Sequence, residues 1–218
     1  MVEKIISFGA GVNSTAMVLL LYEQGKRFPI IFADTGCEWP ETYEFLALFN
    51  DYLLKTWGTQ VCRVQSERGN MYQWYWERRQ IPFIKARVCT GMWKLEPIAK
   101  AFPGVKVHLV GISIDEVHRV RPRGRYAQLE YPLVEIGMTR QDCKAVIKRH
   151  GLPVPIRSGC FICPFQSLRD FTKLAELHPD LFNKVVALEE RSGRWLKYEK
   201  PLRKLVNTQQ LSLQMEVN

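Results

Sequence analysis

Apolar residues along this chain fall into two rhythms. Short unbroken runs, Ile5-Ile6, Ile30-Ile31-Phe32-Ala33 and the longer Val105 to Ile112, stand between turn-forming residues. Such runs predict strands buried on both faces of a parallel sheet. Gln60-Val61-Cys62-Arg63-Val64 alternates and predicts another strand, with Cys62 in the core. Between the runs, apolar residues recur at helical spacing, from Ala16 to Tyr22 and from Thr42 to about Trp57. The second of these helices should bury Phe45, Leu46, Leu48, Phe49, Tyr52 and Leu53. A third is predicted from Thr139 to His150, with Thr139 as N-cap, Asp142 completing something close to a capping box, and Gly151-Leu152-Pro153 as the stop. Strands alternating with helices argue for an α/β parallel sheet of about five strands covered by helices on both faces. The expected division is an α/β domain over 1–150 and, over 151–218, a helical extension packed on that same domain.

Ser7-Phe8-Gly9-Ala10-Gly11-Val12-Asn13-Ser14-Thr15 joins the first strand to the first helix. A strand, a turn of small residues and a helix leave unpaired backbone N–H groups aimed at one point, where an anion can sit. Gly9 and Gly11 permit positive φ and let an oxyanion approach the backbone, which a Cβ would obstruct. Asn13 is a candidate cap, and the hydroxyls of Ser14 and Thr15 add donors at the positive end of the helix dipole. A plain capped turn would use the same residues. Asp34-Thr35-Gly36, after the second predicted strand, falls where open α/β sheets place their ligands.

Composition narrows the partners. The chain has 218 residues, is 46% hydrophobic and carries a formal charge of +9. That basicity suits an anion, whether a nucleotide, a sulfate group or a nucleic acid backbone. No apolar run approaches the roughly 20 residues needed to span a bilayer. The first residues lead straight into a strand without a signal-peptide pattern, so a cytoplasmic protein without membrane contact is expected. Six cysteines in that compartment point to metal, cluster or thiol chemistry rather than a disulfide framework.

Further along, Met71, Tyr72, Trp74, Tyr75 and Trp76 lie among Arg78 and Arg79. Such a segment either packs as an aromatic helix or stacks on nucleotide bases. Arg119, Arg121, Arg123 and Arg125 alternate in a loop that is either a solvated surface or an anion clamp. Cys160-Phe161-Ile162-Cys163 sets two thiols at metal-gripping spacing, with Cys89 as a third sulfur and Cys143 expected in the core. A redox pair can use the same spacing.

Together these residues resemble the phosphoadenylyl-sulfate (PAPS) reductase family of the PP-loop, or adenine nucleotide α-hydrolase, superfamily. SFGAGVNST stands for that family's SFSGGKDST, and DTGCEWPETYEF for DTGxxFPETYxF. CTGMWKLEPI, GISIDEVHR, YPLVEI, HGLPVP and Glu190-Arg191-Ser192-Gly193-Arg194-Trp195 follow in the family's order. Asn13 replaces the family's loop aspartate, Gly9 its second serine and Ala10 its first glycine. No cysteine follows Cys163, so the family's C-terminal nucleophilic cysteine has no counterpart; Cys37 is the substitute within sequence reach.

The resemblance implies a Rossmann-like (HUP-type) sheet and a CxxC turn in the helical C-terminal segment. It also implies an ATP or related adenine-nucleotide site on Ser7, Phe8, Gly9, Gly11, Ser14, Thr15, Asp34, Thr35 and Gly111, with Mg as an optional companion. Asn13, Arg119, Arg191 and Arg194 become candidate catalytic groups. Cys89, Cys160 and Cys163 become candidate ligands of a 4Fe-4S cluster with its fourth iron open. The implied reaction is adenylation of a tRNA or DNA acceptor, followed by transfer of sulfur delivered from the cluster, with a thiol or sulfide donor as a further partner and a homodimer as an option. Two alternatives stand beside it: a sulfonucleotide (PAPS/APS) reductase producing sulfite with a non-standard or external thiol, and a non-catalytic accessory protein that binds nucleotide or nucleic acid.

Overall fold

A computed structural model describes residues 2–121, 123–156, 158–197 and 200–206. In chain order its strands are β1 (Lys4–Phe8), β2 (Ile30–Asp34), β3 (Val61–Gln65), β4 (Val107–Val110) and β5 (Gln128–Glu130). Its α-helices are α1 (Val12–Glu23), α2 (Pro40–Trp57), α3 (Met71–Glu77), α4 (Val88–Thr90), α5 (Glu96–Ala101), α6 (Pro132–Glu135), α7 (Arg140–Arg149), α8 (Leu168–Leu177) and α9 (Pro179–Ser192). A 3-10 turn, Ile114–Arg119, follows β4.

The chain divides into two compact units. Unit 1 holds Met1–Asp34, Glu38–Glu67 and Met92–Gly159; unit 2 holds Thr35–Cys37, Arg68–Gly91 and the described part of Cys160–Asn218.

Unit 1 is the α/β body. Its five strands are parallel, in the order β3-β2-β1-β4-β5. Because neighbouring side chains on a strand point to opposite faces, Ile6, Ile30 and Phe32 join one buried cluster while Ile5, Ile31 and Ala33 join another. The first cluster includes residues of α1, α2 and α7; the second includes Ile98 of α5, so helices cover both faces as expected. Within α1, residues from Val12 to Leu19 are all buried, which accounts for its apolar character all round. Both boundaries of α2 are encoded locally. Pro40 occupies its first position, and Gly58 ends it with a left-handed φ of 63°. At α7 the expected capping box is present: the Asp142 N–H donates to Thr139 Oγ1 (3.1 Å) and the Thr139 N–H to Asp142 Oδ2 (2.9 Å).

Several expectations fail at the margins of the sheet. Cys62 is exposed rather than core, because β3 is an edge strand that buries only Val61 and Val64. Leu48 is also exposed; the buried stripe of α2 is Phe45, Leu46, Phe49 and Leu53. No apolar run announced β5, whose three residues are at best half-buried. Cys143 is buried as expected, and burial pushes its thiol up to about 11.

Unit 2 is built from helices. Its core holds Met71, Tyr75, Phe161, Ile162, Phe171, Leu174, Val185 and Leu188. Ser167 and Asp170 form a second capping box at α8, and Gly193, with φ of 66°, terminates α9. Glu189 is fully buried and accepts the backbone N–H groups of Leu196 (2.8 Å) and Leu202 (2.9 Å), pinning the chain that leaves α9. Among the described residues, no helix is long and apolar enough to cross a membrane.

Candidate functional site

Strand order locates the site in unit 1. From β1 the chain moves to β2 and β3 on one side, then returns to β4 and β5 on the other. Loops leaving β1 and β4 therefore diverge across a switch point, where open parallel sheets bind their ligands. The loop from Gly9 to Gly11 leaves β1; Gly111 and the 3-10 turn leave β4.

These two loops meet. A Cβ added to Gly111 would lie 2.7 Å from both the N and the Cα of Ser14, so only glycine lets β4 pass the first turn of α1. The backbone N–H groups of Gly9 and Gly11 both donate to Ser14 Oγ, each at 3.3 Å, and that hydroxyl donates to the Gly11 carbonyl. Two main-chain donors thus converge on one oxygen at the positive end of α1. Neither glycine uses the positive φ it permits: Gly11 has φ of −106°, and Ala10 alone in this loop is left-handed, at 52°. Gly11 serves close approach instead. A side chain at Gly9 would enter open space, and one at Gly11 would strike Ser158 Oγ at 2.4 Å. Ala10 holds its conformation fully buried, at a cost of about 1 kcal/mol or more for a non-glycine residue.

Asn13 is a buried bridge between the two loops. Its Nδ2 donates to Ser113 Oγ (3.1 Å) and to Glu116 Oε2 (2.9 Å), while its Oδ1 accepts from Arg140 Nη1 (3.4 Å). Arg119 pairs with Glu116 through the other carboxylate oxygen. The amide at position 13 therefore matches Glu116, a partner that an aspartate there would repel. Ser7 Oγ lies 3.3 Å from Nδ1 of buried His108, whose pKa burial lowers. Phe8 is core, stacked on Phe49 at 5.3 Å. Thr15 is fully buried; its N–H closes the first turn of α1 and its Oγ1 has no partner.

Asp34 is saturated. It accepts from Tyr43 OH (2.7 Å) on Oδ1 and from Arg63 Nε (2.9 Å), Arg63 Nη2 and Gln65 Nε2 (2.7 Å) on Oδ2. With its acceptor sites filled, the carboxylate anchors the end of β2 rather than standing open to a ligand. Burial, with the Asp34 charge beside it, pushes the Tyr43 hydroxyl well up, so it stays a donor. Nearby in sequence, buried Glu38 pairs with Lys94 at 3.7 Å.

Unit 2 gathers the sulfur. Thr35 Oγ1 accepts the Cys37 N–H (3.2 Å) and lies 3.2 Å from Cys160 Sγ. Gly36 has φ of +71° and abuts Asn70, whose Nδ2 donates to the Gly36 carbonyl at 2.8 Å. Cys37 is fully buried: its Sγ accepts the Tyr72 N–H (3.0 Å) and its carbonyl accepts the Phe161 N–H (2.7 Å). Burial pushes the Tyr75 hydroxyl well up. Cys163 closes the CxxC turn by donating its N–H to the Cys160 carbonyl (3.1 Å). Among the described residues, however, no three His, Cys, Asp or Glu side chains gather around a point that could hold a metal. As described, Cys89, Cys160 and Cys163 do not form a cluster site.

Arg191 lies over the Trp76 ring at 4.6 Å and donates its Nε to the Trp76 carbonyl at 2.8 Å. Arg194 is exposed. Both belong to unit 2, whereas Arg119 belongs to unit 1. Ser113, Glu116, Arg140, Ser158, His108 and Arg63 were missed by sequence reasoning. Of these, Ser113 and Glu116 carried a signal, through their place in the GISIDEVHR motif.

The profile of the phosphoadenosine phosphosulfate reductase domain family matches residues 3–154, more than half of the chain. An uncharacterized protein of Methanocaldococcus jannaschii is 26% identical over 204 residues, covering 86% of this chain and 47% of that protein. A second from the same archaeon is 23% identical over 201 residues, covering 83% and 40%. The uncharacterized nin region protein ORF290 of Escherichia phage lambda is 28% identical over 153 residues, covering 55% and 51%. The chain thus spans about half the length of these curated relatives, or somewhat less. The crystal structure of PAPS reductase from Candida auris, a phosphate complex, is similar with a TM-score of 0.52 at 15% identity, covering 73% of this chain and 82% of that one. At that identity the likeness speaks for the fold.

Proposed function

Because the chain belongs to the phosphoadenosine phosphosulfate reductase domain family, within the PP-loop adenine nucleotide α-hydrolase superfamily, we propose that it is an enzyme that binds ATP and adenylates an acceptor oxygen. The observation that carries this reading is the convergence of the Gly9 and Gly11 N–H groups on one oxygen at the β1/β4 switch point. A phosphate oxygen takes the place of the Ser14 hydroxyl as their acceptor, and that hydroxyl turns to donate. Open space over Gly9 leaves room for the phosphates.

In this reaction the acceptor's oxygen lone pair forms a bond to the α-phosphorus. The α–β bridging bond breaks, and its electron pair leaves with pyrophosphate. Arg119, exposed and paired with Glu116, is the cation we assign to meet that charge. The adenylated oxygen is then a good leaving group, displaced by a thiol or sulfide donor with release of AMP. The formal charge of +9 suits a polyanionic acceptor, tRNA or DNA.

Calorimetric titration with ATP, plus pyrophosphate release in the presence of candidate acceptors, tests the reading. Saturable ATP binding that Gly9→Ala weakens at least tenfold is expected. Absence of adenine-nucleotide binding overturns it. Sulfite produced from PAPS or adenylyl sulfate would favour the reductase alternative, for which the substitute thiol Cys37 is fully buried. Iron and acid-labile sulfide counted on anaerobically purified protein decide whether Cys89, Cys160 and Cys163 hold a cluster in solution.

A further inference from the structure

We propose that the seam between α3 and α9 in unit 2 is a stacking station for unpaired bases of a nucleic acid strand. This rests on the acceptor class proposed above and assigns the surface that receives it. Four planar groups form a column there. Phe161 and Tyr72 lie 5.8 Å apart, Tyr72 and Trp76 are stacked at 5.9 Å and 24°, and the Arg191 guanidinium covers Trp76 at 4.6 Å. The column is fixed at both ends. Tyr72 OH donates to the Lys184 carbonyl of α9 (3.3 Å), and Arg191 Nε donates to the Trp76 carbonyl (2.8 Å).

Its outer end is exposed. Among the described residues, no acidic side chain pairs with Arg191, so its charge is left for a partner while it lies over the Trp76 ring. The outer face of a guanidinium held against a ring offers a base a flat surface to stack on, and its remaining N–H groups can reach a phosphate. An ordinary apolar protein contact would not need the arginine. On the other flank of the same helix, Arg78 covers Trp74 at 4.2 Å and repeats the arrangement. The surrounding charge agrees with a polyanion: the segment Arg68–Gly91 carries Arg68, Arg78, Arg79, Lys85 and Arg87 against Glu77 alone.

The test is fluorescence anisotropy of a labelled single-stranded oligonucleotide of about 12 nucleotides, with a duplex of the same sequence as comparator, across a salt series. Single strands are expected to bind more tightly than the duplex. Trp76→Ala should weaken that binding about tenfold or more. Arg191→Gln, a surface change that spares the core, should weaken it several-fold and flatten the salt dependence. Melting temperatures of both variants identify any loss through misfolding, and Arg191→Gln keeps the test open if Trp76→Ala unfolds. Strand binding that neither variant changes, or that only replacement of Arg121, Arg123 and Arg125 removes, refutes this surface while leaving the acceptor class standing. No binding of any strand at low salt refutes the acceptor class as well. Equal affinity for duplex and single strand refutes base stacking.

Discussion

Asn13→Asp restores the carboxylate that relatives carry in this loop, and in this chain it should be damaging. The amide donates to Ser113 and, at 2.9 Å, to Glu116. An aspartate donates to neither. Loss of a hydrogen bond to a charged group costs about 1.5–3 kcal/mol, and loss of the one to the serine about 1 kcal/mol. Two carboxylates at about 4 Å also repel by roughly 4 kcal/mol at an effective dielectric constant near 20. Arg140, 3.4 Å from the Asn13 oxygen, returns an attraction of similar size and cancels most of that repulsion. What remains is the lost donors, so urea unfolding at pH 7 should show a deficit of about 2–4 kcal/mol. Two signatures set this apart from generic damage. The deficit should shrink as pH falls through the carboxylate range, because one carboxyl then takes a proton and donates. The reversed pair, Asn13→Asp with Glu116→Gln, should recover about 2 kcal/mol, since the new amide points its N–H at the new carboxylate. A single variant within about 0.5 kcal/mol of the parent, or a pair that recovers nothing, refutes the assignment of Asn13 as the partner of Glu116.

The glycines of the site should separate folding from binding. Gly9→Ala, with open space before it, should leave the unfolding midpoint unchanged while weakening ATP binding, whereas Gly111→Ala must push the Ser14 backbone aside and should lose about 1–3 kcal/mol by chemical denaturation. Burial lowers the pKa of His108 from the ordinary 6.5, so the unfolded chain takes up its proton first on acidification. Stability should therefore decline as pH drops below about 6.5, and His108→Gln should flatten that part of a stability-against-pH curve. In the native protein, iodoacetamide followed by peptide mass spectrometry should label exposed Cys62 readily and leave Cys143, pushed up to about 11 by burial, unmodified until denaturant is added.

Local chemistry explains what was readable from sequence. The Thr139–Asp142 box and the apolar runs of β1, β2 and β4 act within a few residues, where sequence and geometry are nearly the same thing. Reasoning failed where a property depends on sheet order. Cys62 sits in an alternating run on the same face as buried Val64, yet in an edge strand one position on that face is covered and the other is exposed. The bond between Asn13 and Glu116 and the approach of Ser158 to Gly11 join residues over a hundred positions apart. The left-handed turn at Ala10 was invisible for another reason: turn chemistry would assign it to one of the glycines on either side.

Unit 2 is gathered from three separate stretches of chain, two of them interleaved with segments of unit 1. A break after residue 150 would leave the upstream fragment holding pieces of both units, and so would a break after residue 91. Neither unit can be swapped between relatives as a terminal cassette.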